Sequence, residues 1–317
     1  MKKTALIFTI IILSVLLLAS CKGKDKSQAT GFIGGQEGLK ASIAIESTSG
    51  GNKVYDAGVD LFKIDITLEN KGEGFLESSD VLTTLSGISY EAFSIVNPTL
   101  SNTLPLPGRR REPGGTTDPS KTIIQYDANY KPDADADRNV DIVTDFCYKY
   151  QTISLAGVCL KKRVTGPTTG ELCKIEEVKP TDTSGSPLKV ARSSERPAGE
   201  QKVHVLLEVE NVGKGTLYLP DYLSKGECVD SVDDKNKINV KVELPDYLTQ
   251  SPAMIKCAGL EGNEGTLNII QNKIQLSCEI DTTTIGQETA FETPLRVTFS
   301  YVYKDSVKTT ITVKSSI

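Results

Sequence analysis

The chain has 317 residues, and its 41 acidic residues against 36 lysines and arginines give a formal net charge of −5. This mild acidity favours solubility and gives no reason to expect nucleic acid as a partner. A single histidine argues against a zinc site, and the absence of tryptophan argues against the sugar-stacking surface of many lectins.

The first 21 residues predict export followed by attachment to a lipid. Lys2 and Lys3 precede an uncharged apolar run over 5–19, which is the layout of a secretory signal. The small residues directly before Cys21 resemble the lipobox of prokaryotic lipoproteins, in which the cysteine receives the lipid and the peptide is cut on its N-terminal side. An uncleaved signal anchor is the alternative, because the apolar run is only slightly shorter than the ~17–25 residues that span a bilayer. Either way, we expect the rest of the chain to face the extracellular side of the cell membrane.

Beyond the signal, apolar residues recur with a period of two. Residues 21–38 are small, charged and rich in glycine, which predicts a flexible tether. Apolar and polar residues then alternate over 39–46 and again over 61–69, which is typical of half-buried strands. Because no stretch of ten or more residues carries a helical stripe, the predicted fold class is all-β.

An internal repeat indicates two copies of one unit. Leu61–Gly74 aligns with Lys202–Gly215, and both segments end in Glu-Asn-x-Gly-x-Gly. This ending predicts an Asn turn followed by glycines with positive φ. Further along, Phe146–Tyr150 and Phe299–Tyr303 each place the pattern Phe-x-Tyr-x-Tyr on one face of a strand. A turn at Lys304–Asp305 then predicts a hairpin that closes the second copy.

Two copies predict two tandem β-sandwich domains, because short strands separated by frequent turn signals favour a sandwich. A closed barrel is the alternative. The predicted boundaries are 1–20 for the signal peptide, 21–38 for the lipid-bearing tether, 39–165 for the first sandwich, 166–185 for a linker and 186–317 for the second sandwich.

The strand that ends in Glu-Asn-x-Gly-x-Gly resembles the immunoglobulin-like, CARDB-type modules of archaeal and bacterial surface proteins. The wider layout is similar to uncharacterised two-domain surface proteins of small-genome archaea, on the basis of Gly34–Leu39, of Cys147–Thr152 with Cys159 following, and of Tyr301–Tyr303. This resemblance covers most of the mature chain and implies two immunoglobulin-like sandwiches without known catalytic residues. It specifies a fold rather than an activity.

The cysteines beyond Cys21 predict disulfides rather than a metal site, because six of them remain in a chain that is exported. Six cysteines allow fifteen pairings. The predicted strand positions favour Cys147–Cys159 across the closing hairpin of the first domain, Cys257–Cys278 around a turn in the second, and Cys173–Cys228 between the domains.

An acidic run is the candidate metal site. Its residues are Asp133, Asp135, Asp137 and Asp141. Carboxylates at alternate loop positions can converge on one calcium ion. The frame departs from a calcium loop twice, since Arg138 occupies the glycine position and Thr144 stands where a bidentate Glu belongs. A solvated acidic loop is the alternative, and no cofactor other than this weak calcium candidate is expected.

The loop over 105–120 is the candidate binding loop, because Arg109, Arg110 and Arg111 lie among prolines and glycines. A cationic, mobile projection could bind an anionic polymer or a lipid headgroup. A solvated insertion is the alternative. His204 lies inside a predicted strand with its ring opposite the faces of its valine neighbours, which favours a structural role.

These expectations favour a non-catalytic, membrane-anchored surface lipoprotein that acts in adhesion or cell-envelope assembly. The expected partners are the membrane, through the lipid on Cys21, and an envelope or surface protein or polymer of unknown identity. One alternative is an extracellular solute-binding lipoprotein. Another is a calcium-dependent envelope hydrolase, which needs carboxylates that converge in a cleft.

Overall fold

The computed structural model describes residues 31–166, 170–226, 228, 230–248 and 254–316. The predicted signal peptide, Cys21 and the predicted tether up to residue 30 lie outside the described residues. From residue 32 onward the chain forms one compact unit built from strands, which confirms the predicted all-β class. No helix in the described part of the chain is long and apolar enough to cross a membrane.

The strands are β1 (Leu39–Glu46), β2 (Lys53–Tyr55), β3 (Leu61–Asn70), β4 (Val81–Ser86), β5 (Thr99–Ser101), β6 (Arg111–Glu112), β7 (Gly115–Thr116), β8 (Ser120–Asn129), β9 (Arg138–Leu160), β10 (Glu177–Lys179), β11 (Thr181–Thr183), β12 (Leu188–Pro197), β13 (Lys202–Asn211), β14 (Thr216–Tyr218), β15 (Lys237–Glu243), β16 (Ile255–Cys257), β17 (Glu264–Asn268), β18 (Lys273–Asp281) and β19 (Phe291–Lys314). A short 3-10 helix spans Pro220–Lys225.

Three sheets carry the fold. The nine-stranded front sheet has the order β17-β15-β19-β9-β4-β5, with β11 added to β9, and with β14 and β2 added to β19. The first back sheet has the order β1-β3-β8, and the second has the order β10-β12-β13-β18-β16. Strands β6 and β7 form a separate two-stranded hairpin. Each back sheet packs against one part of the front sheet.

Alternation of apolar and polar residues builds these sheets as the sequence predicts. On β3, Ile64, Ile66 and Leu68 are fully buried, and on β13 Val203 and Val205 are buried in the same way. A fully buried aliphatic side chain of this kind contributes about 1.5–3 kcal/mol. The buried residues of both sandwiches belong to one continuous hydrophobic cluster.

Strands β9 and β19 run through both sandwiches. They pair antiparallel from Phe291 opposite Leu160 to Val313 opposite Arg138. Lobe 1 is the sandwich that contains the first back sheet. Its front sheet includes the first half of β9, which also pairs with β4, and the second half of β19. Their other halves belong to the sandwich with the second back sheet, which we call lobe 2. The division into two separate domains is therefore not confirmed, because the last strand of the chain completes the lobe that the first strands begin.

The predicted hairpin at Lys304–Asp305 was wrong. Strand β19 is continuous there, and Lys304 and Asp305 lie opposite Cys147 and Phe146 of β9. Both polar residues lie at the waist, the region where the two long strands pass from one lobe to the other. Their polarity therefore does not mark a turn, because the strand passes straight through this region.

The disulfides are Cys147–Cys228, Cys159–Cys173 and Cys257–Cys278. The last pair was predicted correctly, since the two cysteines lie directly opposite each other on β16 and β18. The predicted Cys147–Cys159 and Cys173–Cys228 pairs were wrong. Cys147 and Cys159 lie on the same straight strand, where twelve residues correspond to roughly 40 Å. A disulfide needs Cα atoms within about 7 Å.

The first Asn-x-Gly-x-Gly segment closes on a tyrosine of β9. The backbone N–H of Gly74 donates to Tyr150 Oη at 2.9 Å, and the Asn70 side-chain amide donates to the Gly74 carbonyl at 2.8 Å. A Cβ on Gly72 would lie 2.0 Å from Tyr150 Oη. Glycine is required here because the tyrosine hydroxyl approaches the backbone closely.

The second copy repeats this arrangement on β19. Gly215 N–H donates to Tyr303 Oη at 2.7 Å, and the Asn211 amide donates to the Gly215 carbonyl at 2.9 Å. A Cβ on Gly213 would lie 2.1 Å from Tyr303 Oη. None of these motif glycines has a positive φ, so the predicted reason for them was wrong. The repeat itself corresponds to two equivalent contacts.

An approximate two-fold rotation relates the two lobes. In the β9–β19 register Tyr150 lies opposite Tyr301, and Tyr148 lies opposite Tyr303. The two copies of Phe-x-Tyr-x-Tyr therefore pair antiparallel with each other, and the rotation axis passes through the Lys149–Val302 pair. The four tyrosines contact each other with ring centroids 5.5–6.4 Å apart, and all are buried. We call this group the waist tyrosines.

A second, smaller apolar cluster covers the other face of the long strands. The rings of Tyr218 and Tyr222 stack with centroids 4.4 Å apart, and they pack with Val302 and the Cys147–Cys228 disulfide. The short 3-10 helix brings Tyr222 to this face. The waist is therefore packed on both sides of the front sheet.

Replacement of Gly213 by Ala should lower the free energy of unfolding by about 1–3 kcal/mol, because the added Cβ overlaps Tyr303 Oη and forces the packing apart. Gly286→Ala is the matched control, since nothing lies within 4 Å of its Cβ position and its φ is ordinary. Chemical denaturation of the two variants and the parent chain measures the difference. Equal stability of Gly213→Ala and Gly286→Ala would contradict the close-approach explanation.

Candidate binding groove

An open groove of about 890 Å³ lies at the end of lobe 1 that is farthest from the waist. It is formed where β1 and β8 end and β3 begins. Strand β1 starts beside the waist at Leu39 and reaches the groove at Ile45 and Glu46. Its eight residues correspond to roughly 26 Å. We call this feature the distal groove.

The walls of the distal groove are mainly apolar. Ile45, Phe62 and Ala128 line it from three neighbouring strands, and Leu61 lies at its rim with 76% of its surface exposed. Phe62 also packs edge-to-face with Phe93 at 6.4 Å, which fixes the position of its ring. A groove of this volume and composition is typical of a binding site.

Three charged side chains of alternating sign lie side by side across the outer rim of the groove. Glu46, Lys63 and Asp127 lie opposite one another on β1, β3 and β8, and all three line the groove. Neighbouring opposite charges on one sheet face contribute roughly 0.2–1 kcal/mol per pair. The rim therefore presents a central cation between two carboxylates.

The loops around the groove are held by side-chain hydrogen bonds. Thr48 donates to the Asp60 carboxylate at 2.7 Å, and the Asn129 amide donates to the Gly58 carbonyl at 3.0 Å. Ser94 donates its hydroxyl to the Asn129 carbonyl at 3.0 Å and adopts a left-handed φ of 57°. The groove is thus preformed, and a left-handed residue other than glycine is a feature that clusters at functional sites.

The titratable side chains that line the distal groove are Glu46, Lys63 and Asp127, and the lining contains neither His nor Cys. A nucleophile needs an adjacent base within hydrogen-bond reach. No such pair occurs among the residues that line the distal groove.

His204 lies on the outer face of the second back sheet. Its Nε2 is 2.7 Å from Ser277 Oγ, while Arg196 donates from Nε to its Nδ1 at 3.3 Å. An accepting Nδ1 places the ring proton on Nε2, so the imidazole donates to Ser277 and cannot take its proton. Burial and the Arg196 charge both lower the pKa of His204. In a Ser-His-Asp triad the arrangement is the opposite, with a carboxylate that accepts the proton on Nδ1.

The three arginines of the predicted binding loop belong to an ordered hairpin. Arg109 donates to the Thr117 carbonyl and to the Thr116 hydroxyl, and the Arg111 guanidinium donates to the Phe32 carbonyl at 2.7 and 3.1 Å. Arg110 is exposed on the same hairpin. Two of the three side chains therefore hold the chain's own backbone, and a binding role for this loop stays a prediction.

The acidic residues of the calcium candidate do not converge. Asp137 pairs with Lys314, and Asp141 pairs with Lys308 at 2.7 Å, while Asp133 and Asp135 are exposed. Within the described ranges, no group of three His, Cys, Asp or Glu residues is placed to hold a metal ion. Calcium binding stays a prediction, and the geometry lends it no support.

A buried carboxyl group and a lysine lie beside the Cys159–Cys173 disulfide. Glu195 has no exposed side-chain surface, accepts the Cys159 backbone N–H at 3.0 Å and lies 3.4 Å from the Lys179 ammonium. Burial raises the pKa of Glu195 to about 7, and the Cys159 and Lys179 contacts offset only part of this effect. Because the carboxyl is enclosed, we assign it to structure rather than to a site.

Sequence reasoning missed the distal groove, although a weak signal was present. Leu61 and Phe62 are adjacent apolar residues at the start of an alternating strand, so one of them must face outward. The remaining lining comes from β1, β8 and the segment around Ser94. Its convergence depends on strand pairing that no local pattern encodes.

No family model matches the chain, and no curated protein matches it. Among solved structures, the secreted serine protease VesC from Vibrio cholerae aligns with 12% identity and a TM-score of 0.20. The alignment covers 85% of this chain and 51% of the protease, so the chain spans about half the length of that protein. The major capsid protein P2 from Bacteriophage PM2 aligns with 8% identity and a TM-score of 0.12 over 83% of this chain and 98% of that one. TM-scores this low support no argument about fold or activity.

The stability of the protein should fall as the pH rises from about 4.5 to about 7, because the native state holds a proton on Glu195 that the unfolded chain has lost. This contribution is complete below pH 4.5 and amounts to at most about 3 kcal/mol, since one pKa unit corresponds to about 1.4 kcal/mol. Glu195→Gln should remove that slope. Denaturation series over this pH range measure it, with the exposed Glu176→Gln as control. An unchanged slope in Glu195→Gln would refute the assignment.

Proposed function

We propose that this chain is a non-catalytic surface protein, held on the outside of the cell membrane by a lipid on Cys21, that binds an envelope or surface protein or polymer. The role is adhesion or cell-envelope assembly, and the distal groove is the contact site. The preformed, mainly apolar groove at the tip of lobe 1 is the observation that carries this proposal.

The way the chain enters the body suits a tethered binder. The Glu73 carboxylate accepts the backbone N–H groups of Ile33 and Gly34 at 2.8 and 2.9 Å, and that of Gly185 at 2.6 Å. The chain is thus fixed at the waist as it leaves the membrane-proximal segment. The distal groove lies one full strand length from that point, where an envelope partner has access to it.

Three disulfides support an oxidising compartment outside the cytoplasm. The resemblance to tandem immunoglobulin-like, CARDB-type modules supports a binding role, since such modules present loops and sheet edges to partners. The non-catalytic part of the proposal rests on the same resemblance, which implies no catalytic residues and specifies a fold rather than an activity.

Leu61→Ser should weaken partner binding several-fold, because it removes the most exposed apolar side chain of the distal groove. Ile270→Ser is the matched control, since Ile270 on lobe 2 is 72% exposed and lies outside the groove. Cross-linking on intact cells, followed by mass spectrometry, compares the two variants with the parent chain. Loss of one recurrent envelope protein in Leu61→Ser alone supports the proposal.

Equal cross-links in both variants would place the contact elsewhere and refute the role of the groove. If the parent chain gives no cross-linked protein but carries a small apolar compound that Leu61→Ser lacks, the solute-binding alternative replaces adhesion. The groove volume lies within the ~300–1,000 Å³ typical of small-molecule sites, which is the observation that supports this second candidate.

Cys21→Ser should abolish incorporation of a tagged fatty acid and release the protein from the membrane fraction, because the thiol that carries the lipid is gone. The parent chain and Cys257→Ser serve as controls for export and for loss of an unrelated cysteine. A Cys21→Ser protein that stays in the membrane pellet would show that the apolar run over 5–19 acts as an uncleaved anchor.

A further inference from the structure

The two-fold relation between the lobes reveals one strand position that is filled in one lobe and open in the other. Strand β11 adds to the edge of β9, with Asp182 opposite Leu155. The pairing extends beyond β11, since Gly157 donates its backbone N–H to the Pro180 carbonyl at 3.1 Å. This added strand also contacts β12, the neighbouring edge of the second back sheet.

The equivalent position lies on β19. Leu155 follows Tyr150 by five residues, and Lys308 follows the equivalent Tyr303 by five residues. Along β19, the pairing with β14 extends as far as Lys304, and the pairing with β2 starts at Thr312. Between them, the edge of β19 that faces away from β9 has no strand beside it in the described part of the chain.

The main chain of Lys308 points toward this open edge. Thr312 N–H bonds to the Asn52 carbonyl, and the Lys314 carbonyl accepts from Asp56 N–H, so the backbone groups of even-numbered residues here face away from β9. The backbone N–H and C=O of Lys308 have no partner on that side among the described residues. On either side of Lys308, the Thr310 carbonyl accepts from the Asn52 side chain, and the Ser306 N–H donates to Asp305. Unpaired backbone groups at a sheet edge are a template for an added strand.

A groove of about 430 Å³ lies beside the open edge, between β19 and β1. Val307 and two of the waist tyrosines, Tyr148 and Tyr303, line it. Both tyrosines are buried, which fixes their positions. In lobe 2, β11 lies beside β9 and β12. The groove lies in the equivalent place in lobe 1, beside β19 and β1. We call it the waist groove.

Four charged side chains line the waist groove, two lysines and two carboxylates. Lys40 and Lys214 line it and form no ion pair in the described part of the chain. The acidic groups in the lining are Glu37, which lies 3.9 Å from Lys71, and Asp305, which accepts the neighbouring backbone N–H of Ser306. In lobe 2, Asp182 of β11 lies opposite Leu155. A strand added to β19 would place the equivalent residue opposite Lys308.

We propose that the open edge of β19 and the waist groove bind an extended segment of a partner protein as an added antiparallel strand, with an acidic residue opposite Lys308. The segment has the chemistry of the chain's own β11, in which small hydroxyl residues flank an aspartate. This inference goes beyond the proposed function, because it requires neither the lipid on Cys21 nor the distal groove.

A peptide with the sequence of residues 179–185 is the probe, added to the full chain. When the peptide is present at ten times its dissociation constant, hydrogen exchange of the Lys308 amide should slow by about tenfold. A copy methylated on the Asp182 nitrogen should not bind, since that N–H faces the receiving strand. A copy methylated on the Thr183 nitrogen should bind as the parent does, because that N–H points away.

Lys308→Pro should abolish binding, since it removes the N–H at the open edge, and a proline is tolerated where an edge N–H faces solvent. Lys308→Ala is the comparison, because it keeps the N–H while losing the same ion pair with Asp141. It should bind more weakly than the parent chain, since it lacks the cation opposite the acidic residue, but more tightly than Lys308→Pro. The two methylated peptides test the proposal even if Lys308→Pro does not fold.

Three results would overturn the proposal. One is an unchanged Lys308 amide at millimolar peptide, and another is equal binding of both methylated peptides. The third is a dimer of the peptide-free chain, detected by sedimentation, in which the Lys308 amide is already protected. That dimer would make a second copy of the chain, rather than a partner's segment, the occupant of the edge.

Discussion

The antiparallel pairing of β9 with β19 is the constraint on which the rest of the structure depends. Two strands of 23 and 24 residues are far longer than the five or six residues of an average strand. Their length lets one ladder of backbone hydrogen bonds serve two cores, so neither lobe has a complete front sheet of its own. The lobes are consequently parts of one body, although the sequence repeat describes them as copies.

The waist tyrosines show how a repeated sequence can stabilise a junction rather than two separate units. Tyr150 and Tyr303 each use a hydroxyl to hold a glycine segment from their own half, while their rings pack with Tyr148 and Tyr301. Burial raises the pKa of Tyr303 to about 12, so its hydroxyl stays protonated throughout the physiological range. The hydrogen bonds of the waist are therefore insensitive to ordinary changes in pH.

Period-two patterns were sufficient to predict the strands and the all-β class, because burial on one face is a local property of the sequence. They could not predict which strand pairs with which, since the partner of Val313 is Arg138, 175 positions away. The same limit explains the two wrong disulfides and the missed distal groove. The Asn-x-Gly-x-Gly motif was found but misinterpreted, because the tyrosine that requires the glycines lies on another strand.

The shared strand also determines when the protein can become folded. Ile311 and Val313 lie more than 270 positions after Leu39, yet both are fully buried in the core that Leu39 begins. Contacts between such distant parts of a chain make folding slow, because the entropic cost of closing the loop comes before the contacts are gained. The core of lobe 1 is therefore incomplete until β19 pairs with β9, so the first half of the chain depends on a strand from the second half in order to fold.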